Sequence, residues 1–217
     1  MTIGELARYF NVEYKIKCNL RVVPMKGWKR SMTFEDTGLF WIPSSPYIPE
    51  QDTPLFYATT GLIGGLSFLS IGIGYTLPFK VVGAPWVSAQ EFAKRLNAQD
   101  LPGVSFVPFH FSPQYGLYKG ELCGGVLIRI TDPSTYKPVR TQCFILGIIK
   151  SMYPEVTEKK IAALSKQKKD IFCKTMGGNE MFSILSKEKY PAWKMAEHQS
   201  ERKQIYLEKR KRYLLYN

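Results

Sequence analysis

Aromatic side chains are concentrated between residues 25 and 54, on a stretch that prolines keep irregular. Pro43, Pro46 and Pro49 lie within it, and proline interrupts both helices and β-ladders. Long ordered loops are uncommon and often functional, and aromatic rings on such loops can stack on sugar rings or nucleobases. The same rings equally fit a purely structural role in which they hold the loop to the core. The rings belong to Trp28, Phe34, Phe40, Trp41 and Tyr47.

A segment without any charged side chain follows, from residue 53 to residue 79, although the protein of 217 residues has a formal net charge of +12. Its length permits a membrane-spanning helix, but five glycines and the flanking Pro54 and Pro78 argue against one. Its second half alternates between apolar and small residues, which is typical of a strand. We therefore expect either a buried strand with its turns or a backbone-rich loop that lines a ligand. The alternating residues are Leu69, Ile71, Ile73 and Tyr75 on one side, and Ser70, Gly72, Gly74 and Thr76 on the other.

Metal chemistry has little support in the sequence. The four cysteines are widely spaced without a Cys-x-x-Cys pair, and the chain has only two histidines. Cys123 and Cys143 lie in apolar runs and are expected to be buried as small apolar side chains. We predict no metal and no cofactor, and the redox compartment stays open.

Positive charge accumulates toward the end of the chain, where residues 150–217 contain 16 Lys and Arg against 8 Asp and Glu. Such asymmetry suits an anionic partner, such as nucleic acid, anionic lipid or an anionic polymer, but it also suits a solvated helix surface. No zinc-finger spacing and no aromatic RNA-recognition pattern accompanies the charge. The solvated surface is favoured, and no nucleic-acid partner is predicted.

The pattern of elements predicts an α+β fold, with a mixed or antiparallel sheet, flanking helices and a helical, basic C-terminal region. Residues 1–139 form the β-rich part and residues 140–217 the helical part. Strands are expected at 20–24, 79–82, 104–111 and 122–130, with a bulge at Gly124-Gly125. Helices are expected at 88–96 and 141–152, from a Thr157 cap onward, in a short stretch after Gly177-Gly178, and as one long basic helix from Pro191 to the end.

The first residues predict a helix directly. Thr2 and Glu5 fit a capping box, and Ile3, Leu6, Ala7 and Phe10 form an apolar stripe at helical spacing. No basic segment followed by an apolar run, as in a secretory leader, is visible at this end. Such a start fits a cytoplasmic protein, and it equally fits the back part of a longer one.

Several segments taken in order resemble a known family. They are MTIGELAR at 1–8, VVPMKGWKRSM at 22–32, TGLFW at 37–41, SP at 45–46, PF at 78–79, GAPW at 83–86, GELCGGV at 120–126, ITD at 130–132 and RKRYLLY at 210–216. Together they resemble the C-terminal half of the NamZ family, long catalogued as a domain of unknown function. Its members include exo-β-N-acetylmuramidases, bacterial glycoside hydrolases that remove terminal N-acetylmuramic acid from peptidoglycan fragments.

The resemblance implies that residues 1–217 are a single C-terminal domain of a longer architecture. Family members carry their catalytic acid on an N-terminal Rossmann-like domain, and the active-site cleft lies between the two parts. This chain would then form one wall of the cleft, with the N-terminal domain supplied in cis or as a separate chain. A fragment, a separated domain and a split gene all agree with it. The family implies a cell-envelope, periplasmic or secreted location.

One departure from the family pattern concerns Ile73. Many members carry an Arg within a Gly-x-Gly-Thr-like segment before the Pro-Phe, whereas this chain reads GIGYT at 72–76. Replacing such an Arg by Ile73 would forfeit a charge-assisted hydrogen bond to an anionic sugar acid. Either Tyr75 supplies a polar contact instead or the substrate and activity have changed.

Glycoside hydrolysis normally needs two carboxyl groups that face each other across the scissile bond, one of them with a raised pKa. The candidates within this chain are Glu35, Asp36, Glu121 and Asp132. Neighbours such as Glu35 and Asp36 rarely converge on one point, and the other two stand at strand ends. We predict surface or capping roles for all four, and therefore no catalytic residue in this chain.

Because of this resemblance, we predict that the aromatic stretch at 25–54 and the uncharged, glycine-containing segment at 53–79 contribute to a sugar-binding site. The predicted substrate-binding residues are Trp41, Tyr47, Gly74, Tyr75, Thr76 and Lys119, with Lys119 as the partner of the N-acetylmuramic acid carboxylate. The alternative is a binding or assembly module without chemistry, whose basic C-terminal third docks on an anionic glycan or a partner domain. Binding that weakens steeply with added salt would favour this module.

Overall fold

Two units make up the chain in the computed structural model, which describes residues 1–198 and 200–217. The terminal unit contains Met1–Phe40 together with the described residues from 200 onward, and the central unit contains Trp41–His198.

The terminal unit is built around helix α1 (Ile3–Glu13). The predicted capping box is present, because Thr2 Oγ1 accepts a hydrogen bond from Glu5 N and the Glu5 carboxylate accepts one from Thr2 N at 2.7 Å. The strand predicted at 20–24 is absent, since these residues pair with no strand and Leu20 and Val23 are exposed. A 3₁₀ turn at Glu35–Thr37, helix α9 (Ser200–Arg210) and a second 3₁₀ turn at Lys211–Tyr213 complete the unit.

The central unit contains a three-stranded antiparallel sheet. Its strands are β1 (Val81–Ala84), β2 (Val104–Phe111) and β3 (Cys123–Ile130), in the order β1-β3-β2. The bulge predicted at Gly124-Gly125 is wrong, because both residues keep an unbroken register with β1 and β2. The glycines serve close packing instead: a Cβ on Gly125 would lie 2.1 Å from the Val82 carbonyl oxygen, and one on Gly124 would lie 2.1 Å from that of Val87.

The uncharged segment is a helix followed by an irregular loop, so the buried strand, one of the two expected alternatives, is wrong, and a ligand-lining role of the loop stays a prediction. Helix α2 (Thr53–Gly65) begins with a proline in its first turn. The loop from residue 66 to residue 80, here called the glycine loop, contains no strand and forms one isolated β-bridge with the sheet, between Ser70 and Gly83. Positive φ angles at Ser67, Gly72 and Gly74 turn its backbone repeatedly, and a strand does not tolerate such turns.

Helices cover the sheet and complete the core. Helix α3 (Ala89–Asn97) starts at the predicted Ser88 cap, whose hydroxyl accepts a hydrogen bond from Glu91 N. Helix α4 (Pro138–Met152) is buried from Thr141 to Gly147 and at Ile149 and Lys150, and it packs against α2, α3 and α8. It approaches α8 so closely that a Cβ on Gly147 would lie 2.5 Å from the Ala192 backbone.

The remaining helices are α5 (Pro154–Ala162), α6 (Lys166–Thr175), α7 (Asn179–Lys187) and α8 (Pro191–Glu197). Helix α5 begins at Pro154, so Thr157 is an internal residue whose hydroxyl donates to the Tyr153 carbonyl at 2.8 Å. The expected single basic helix from Pro191 is wrong as well, because α8 ends at Glu197 and α9 is separate.

The predicted fold class is confirmed as α+β, with an antiparallel sheet, flanking helices and a helical, basic C-terminal region. Within the described residues, no helix combines the length and the apolar character needed to cross a membrane.

Candidate functional site

Two loops of the central unit meet at Gly74. The Gly74 carbonyl oxygen accepts a hydrogen bond of 2.7 Å from Gln114 N, on the loop from residue 112 to residue 122 that connects β2 to β3. Gly74 has a φ of +87°, and a Cβ there would lie only 2.0 Å from the Tyr115 carbonyl oxygen. Only glycine permits this approach. The place where the glycine loop meets the β2–β3 loop is here called the loop junction.

Tyr118 fixes the β2–β3 loop at a second point. Its hydroxyl donates to the Phe68 carbonyl oxygen at 3.0 Å and accepts a hydrogen bond from Trp86 Nε1 at 3.2 Å. The Lys160 ammonium group lies 5.9 Å from the centre of the same ring. The loop is therefore held through both its backbone and a half-buried side chain, and the groups it presents are preorganised.

Two tyrosine rings are presented to solvent at the loop junction. Tyr115 is 50% exposed and Tyr47 is 38% exposed. The interaction with the Tyr47 side chain raises the pKa of the Tyr115 phenol, and partial desolvation adds to this, while the Gly74 backbone N–H acts in the opposite direction. The two phenols thus form an exposed surface of aromatic faces and hydroxyl groups above the buried Gly74 backbone. Such a surface can stack on the apolar face of a sugar and bond its hydroxyls.

Of the six predicted substrate-binding residues, Tyr47 is exposed at this surface and Gly74 is buried beneath it. Thr76 and Lys119 are exposed on the two loops that meet there. The Tyr75 ring packs instead against Phe109 and Phe111 of the sheet, with ring centres 6.3 and 5.5 Å away. Trp41 is partly buried in the same irregular stretch as Tyr47. The substrate-binding role of all six stays a prediction.

Tyr115 and Tyr118 were not predicted from the sequence. The signal for them is the connection between the two strands, which is longer than a tight hairpin turn and contains two tyrosines beside Gly116 and Gly120. Both glycines have positive φ angles, so this loop folds back on itself in a way that orients the tyrosines.

Ile73 is half-buried and packs against the main core of the central unit. Its side chain therefore serves packing, and no charge is present at this position of the glycine loop.

Two of the four candidate carboxylates, Asp36 and Asp132, have lowered pKa values. Hydrogen bonds from the Ser134 and Thr135 hydroxyls and from Ser134 N lower the pKa of Asp132, and the backbone and hydroxyl of Thr33 lower that of Asp36. A general acid needs the opposite shift.

Glu35 and Glu121 are exposed. Glu121 and Asp132 stand at opposite ends of β3, and a strand of that length separates them by roughly 25 Å. That distance is well beyond the ~10 Å limit for a glycosidase pair. In the part of the chain that the structure describes, no cluster of three or more His, Cys, Asp or Glu residues could hold a metal ion.

Comparison with known proteins defines the class. The family model for the C-terminal domain of exo-β-N-acetylmuramidase NamZ matches residues 55–216, and the model for the N-terminal domain matches residues 1–52. An exo-β-N-acetylmuramidase is a glycoside hydrolase that acts on peptidoglycan. This chain belongs to the NamZ family, as predicted. The matches of the two family models meet between residues 52 and 55. The assignment of residues 1–217 to a single C-terminal domain stays a prediction.

Two relatives can be named individually. The peptidoglycan β-N-acetylmuramidase NamZ of Bacillus subtilis strain 168 is 42% identical over 155 residues, which are 71% of this chain and 37% of the relative. The crystal structure of a DUF1343 family protein from Bacteroides fragilis NCTC 9343 superimposes with a TM-score of 0.88 at 35% identity. That match covers 99% of this chain and 56% of the Bacteroides chain. This chain therefore spans only part of the length of both relatives.

Proposed function

We propose that this chain supplies one wall of the substrate cleft of a peptidoglycan exo-β-N-acetylmuramidase, and that the loop junction binds the terminal N-acetylmuramic acid. Membership of the NamZ family and 42% identity to a peptidoglycan β-N-acetylmuramidase support the substrate class. The partial coverage of that relative supports a role as part of a larger assembly.

The observation that carries the proposal is the backbone contact between Gly74 and Tyr115. Without a side chain at residue 74, the two loops lie in contact, and the exposed Tyr115 ring lies against the Tyr47 side chain from the irregular segment before α2. A rigid aromatic surface with a few fixed polar groups is the usual design of a sugar or small-molecule site. Lys119, exposed on the same β2–β3 loop, is the proposed partner of the sugar carboxylate.

The catalytic acid is proposed to come from the N-terminal domain of the family, in cis or on a separate chain. The lowered pKa values of Asp36 and Asp132 and the wide separation of Glu121 from Asp132 support this placement. In this arrangement the chain positions the sugar, and the partner domain provides the proton.

Sugar binding by the purified chain tests the loop junction. N-acetylmuramic acid and N-acetylglucosamine are titrated against wild type, Tyr115→Ala and Tyr190→Ala, with two-dimensional NMR as the readout. Tyr190 is a matched control because its ring is exposed elsewhere on the central unit. We expect Tyr115→Ala to weaken N-acetylmuramic acid binding about tenfold, the usual value of one stacked aromatic ring, and Tyr190→Ala to leave it unchanged.

Two other results would contradict the proposal. Equal loss in both variants, or no binding by wild type, would remove the loop junction as a sugar site. Binding that ignores Tyr115→Ala but disappears with added salt would instead favour a module that docks through its basic helices. Turnover of a chromogenic N-acetylmuramic acid glycoside by the chain alone would place the catalytic acid within residues 1–217.

A further inference from the structure

Lys80 is the last residue of the glycine loop, and its ammonium group joins this loop to the irregular segment before α2. Lys80 Nζ donates hydrogen bonds to the Glu50 carboxylate and, at 3.1 Å, to the Asp52 carboxylate. The Lys80 side chain is 14% exposed, and its Nζ lies 5.1 Å from the centre of the buried Phe56 ring. The three charged side chains are here called the Lys80 clamp.

Exposed ion pairs usually contribute little to stability, but the Lys80 clamp differs from them in two ways. One cation serves two carboxylates, and its own surroundings exclude most of the water that would screen its charge. Burial opposes the charged form of Lys80, yet the hydrogen bonds to Glu50 and Asp52 outweigh this effect and raise its pKa. Lys80 is therefore charged at neutral pH and holds both carboxylates.

The backbone of Lys80 is fixed to the sheet. Its carbonyl oxygen accepts a hydrogen bond of 2.8 Å from Ile128 N on β3, and the next residue, Val81, begins β1. Because the lysine is anchored in this way, the clamp fixes the position of Glu50 and Asp52 relative to the sheet.

The segment that the clamp holds also contains Tyr47. A turn places this residue, since Tyr47 N donates to Ser45 Oγ at 3.3 Å and Ile48 N donates to the Ser45 carbonyl oxygen at 2.9 Å. The Ile48 side chain then packs on the main core. Further along, Glu50 N donates to Oγ1 of the fully buried Thr53 at 3.3 Å. Tyr47 thus lies on a short stretch that is attached on both sides.

These contacts form a closed path through the loop junction. The Tyr47 side chain lies against Tyr115, and the Tyr115 backbone lies against Gly74 in the middle of the glycine loop. The glycine loop continues from Gly74 to Lys80, which binds Glu50, and Glu50 follows Tyr47 in the same short segment. The clamp therefore closes the path that brings the two tyrosine side chains together.

We propose that Lys80 is a positioning residue for the loop junction, because it holds Tyr47 against Tyr115 through Glu50 and Asp52. Lys80 itself touches no sugar in this arrangement. It restricts the Tyr47 ring before the ligand arrives, and a ring that is already ordered binds at a lower cost in entropy. The inference rests on the proposed function only for the identity of the ligand, since the position of Tyr47 can be measured without sugar.

Nuclear magnetic resonance at pH 7 tests the position of Tyr47. The readout is the cross-peak between the ring protons of Tyr47 and Tyr115 in wild type, Lys80→Met and Lys80→Arg. We expect Lys80→Met to lose the cross-peak, whereas Lys80→Arg keeps the positive charge and retains it. The control Lys194→Met breaks an ion pair of 2.6 Å with Glu188 elsewhere on the central unit and should leave the cross-peak unchanged.

Sugar affinity provides the second readout. Lys80→Met should weaken N-acetylmuramic acid binding about fivefold, the usual cost of ordering one side chain on binding. In a Tyr47→Ala background the same change should alter the affinity by less than about twofold, because the ring that the clamp positions is gone. Equal losses in both backgrounds would overturn the action of Lys80 through Tyr47.

The positioning role is also overturned if Lys80→Met keeps the cross-peak, or if Lys194→Met loses it equally. If Lys80→Met does not fold, Glu50→Gln/Asp52→Asn decides the question, because it removes the charges of two partly exposed carboxylates and retains the lysine. Loss of the cross-peak in that variant supports the clamp, and its retention overturns it. A cross-peak that depends on Lys80 in a protein that binds no sugar would refute the sugar site and leave the clamp standing.

Discussion

Glu5 and Arg30 form a salt bridge of 2.6 Å in which the carboxylate is fully buried. The same Glu5 oxygen accepts a hydrogen bond of 2.8 Å from Leu215 N, so one side chain joins the first helix, the irregular segment and the end of the chain. Among the described side chains of the terminal unit only Glu5 and Tyr213 are buried, so this unit depends on such a polar connection. Removing one partner of a buried pair leaves an uncompensated charge and is strongly destabilising.

We expect acid to destabilise the terminal unit before the central unit. Burial opposes ionisation of Glu5, but hydrogen bonds from Arg30, Leu215 N and Thr2 N, together with the Arg30 charge, lower its pKa from 4.5 to about 2. A lowered carboxyl pKa stabilises the fold above the unfolded value, and this contribution, up to about 3 kcal/mol, is lost between about pH 4.5 and 2. Hydrogen exchange of α1 amides across that range is the measurement.

Glu5→Gln should remove most of this pH dependence and already destabilise α1 at pH 7. The control is Glu35→Gln, an exposed acid of the same unit. If α1 exchange in Glu5→Gln still accelerates between pH 4.5 and 2 as in wild type, another group carries the acid sensitivity.

Gly74→Ala should open the loop junction. The added Cβ would meet the Tyr115 carbonyl oxygen at 2.0 Å on a backbone with φ of +87°, so steric overlap adds to the conformational strain. We expect a loss of about 2 kcal/mol or more in the free energy of unfolding, measured with urea, and a loss of sugar binding.

The variant Gly120→Ala distinguishes conformational strain from steric overlap with Tyr115. Gly120 has a similar φ of +75°, but nothing lies within 4 Å of a Cβ placed there. Its substitution should show the conformational strain alone, about 1 kcal/mol, and keep sugar binding. Equal effects of the two substitutions would show that contact with Tyr115 is unimportant.

Sequence patterns predicted the elements whose side chains alternate between core and solvent. Residues 104–111 and most of 122–130 are strands; β2 alternates in part between buried and exposed residues, whereas the first four residues of β3 are all buried. The same alternation at Leu69, Ile71 and Ile73 arises in a loop that buries apolar side chains between turns, and periodicity alone cannot distinguish these cases. The four residues of the apolar stripe predicted for α1 do lie on the helix, but Ile3 and Phe10 are exposed while Leu6 and Ala7 are half-buried, since a pattern does not show which surface covers it.

The candidate site was only partly predictable. Tyr47 and Gly74 were selected because they share loops with exposed backbone, whereas Tyr115 enters the site through the pairing of Gly74 with Gln114. That contact joins residues 40 positions apart and depends on the register of β2 with β3, which no local pattern contains.

Lys150 should be required for the end of helix α7. Its buried ammonium group donates to the Leu185 and Ser186 carbonyl oxygens, each at 2.8 Å, and so satisfies acceptors that a helix terminus leaves unpaired. Lys150→Ala removes both bonds and leaves a cavity, so we expect a loss of about 3 kcal/mol in urea unfolding. The control Lys187→Ala changes an exposed lysine of α7 and should alter the free energy of unfolding by less than about 0.5 kcal/mol.

The pH dependence of the same lysine provides an independent check. Burial lowers the pKa of Lys150 below its usual 10.5, so the unfolded chain binds its proton more tightly than the folded one. Wild-type stability should therefore rise as pH increases toward 10.5, relative to Lys150→Met, which has no proton to lose. Parallel stability curves for the two proteins would mean that Lys150 titrates alike in both states.

Tyr118→Phe should weaken sugar binding without removing any group that touches the sugar. The change deletes one hydroxyl that bonds both the Phe68 carbonyl oxygen and Trp86 Nε1, and each unpaired group costs about 1 kcal/mol or more. A looser β2–β3 loop positions Tyr115 less well, so we expect N-acetylmuramic acid affinity to fall several-fold while the Tyr115 ring is retained. Tyr190→Phe, which alters an exposed phenol, should have no effect. Unchanged affinity in Tyr118→Phe, with a measured loss of stability, would show that the site does not depend on this anchor.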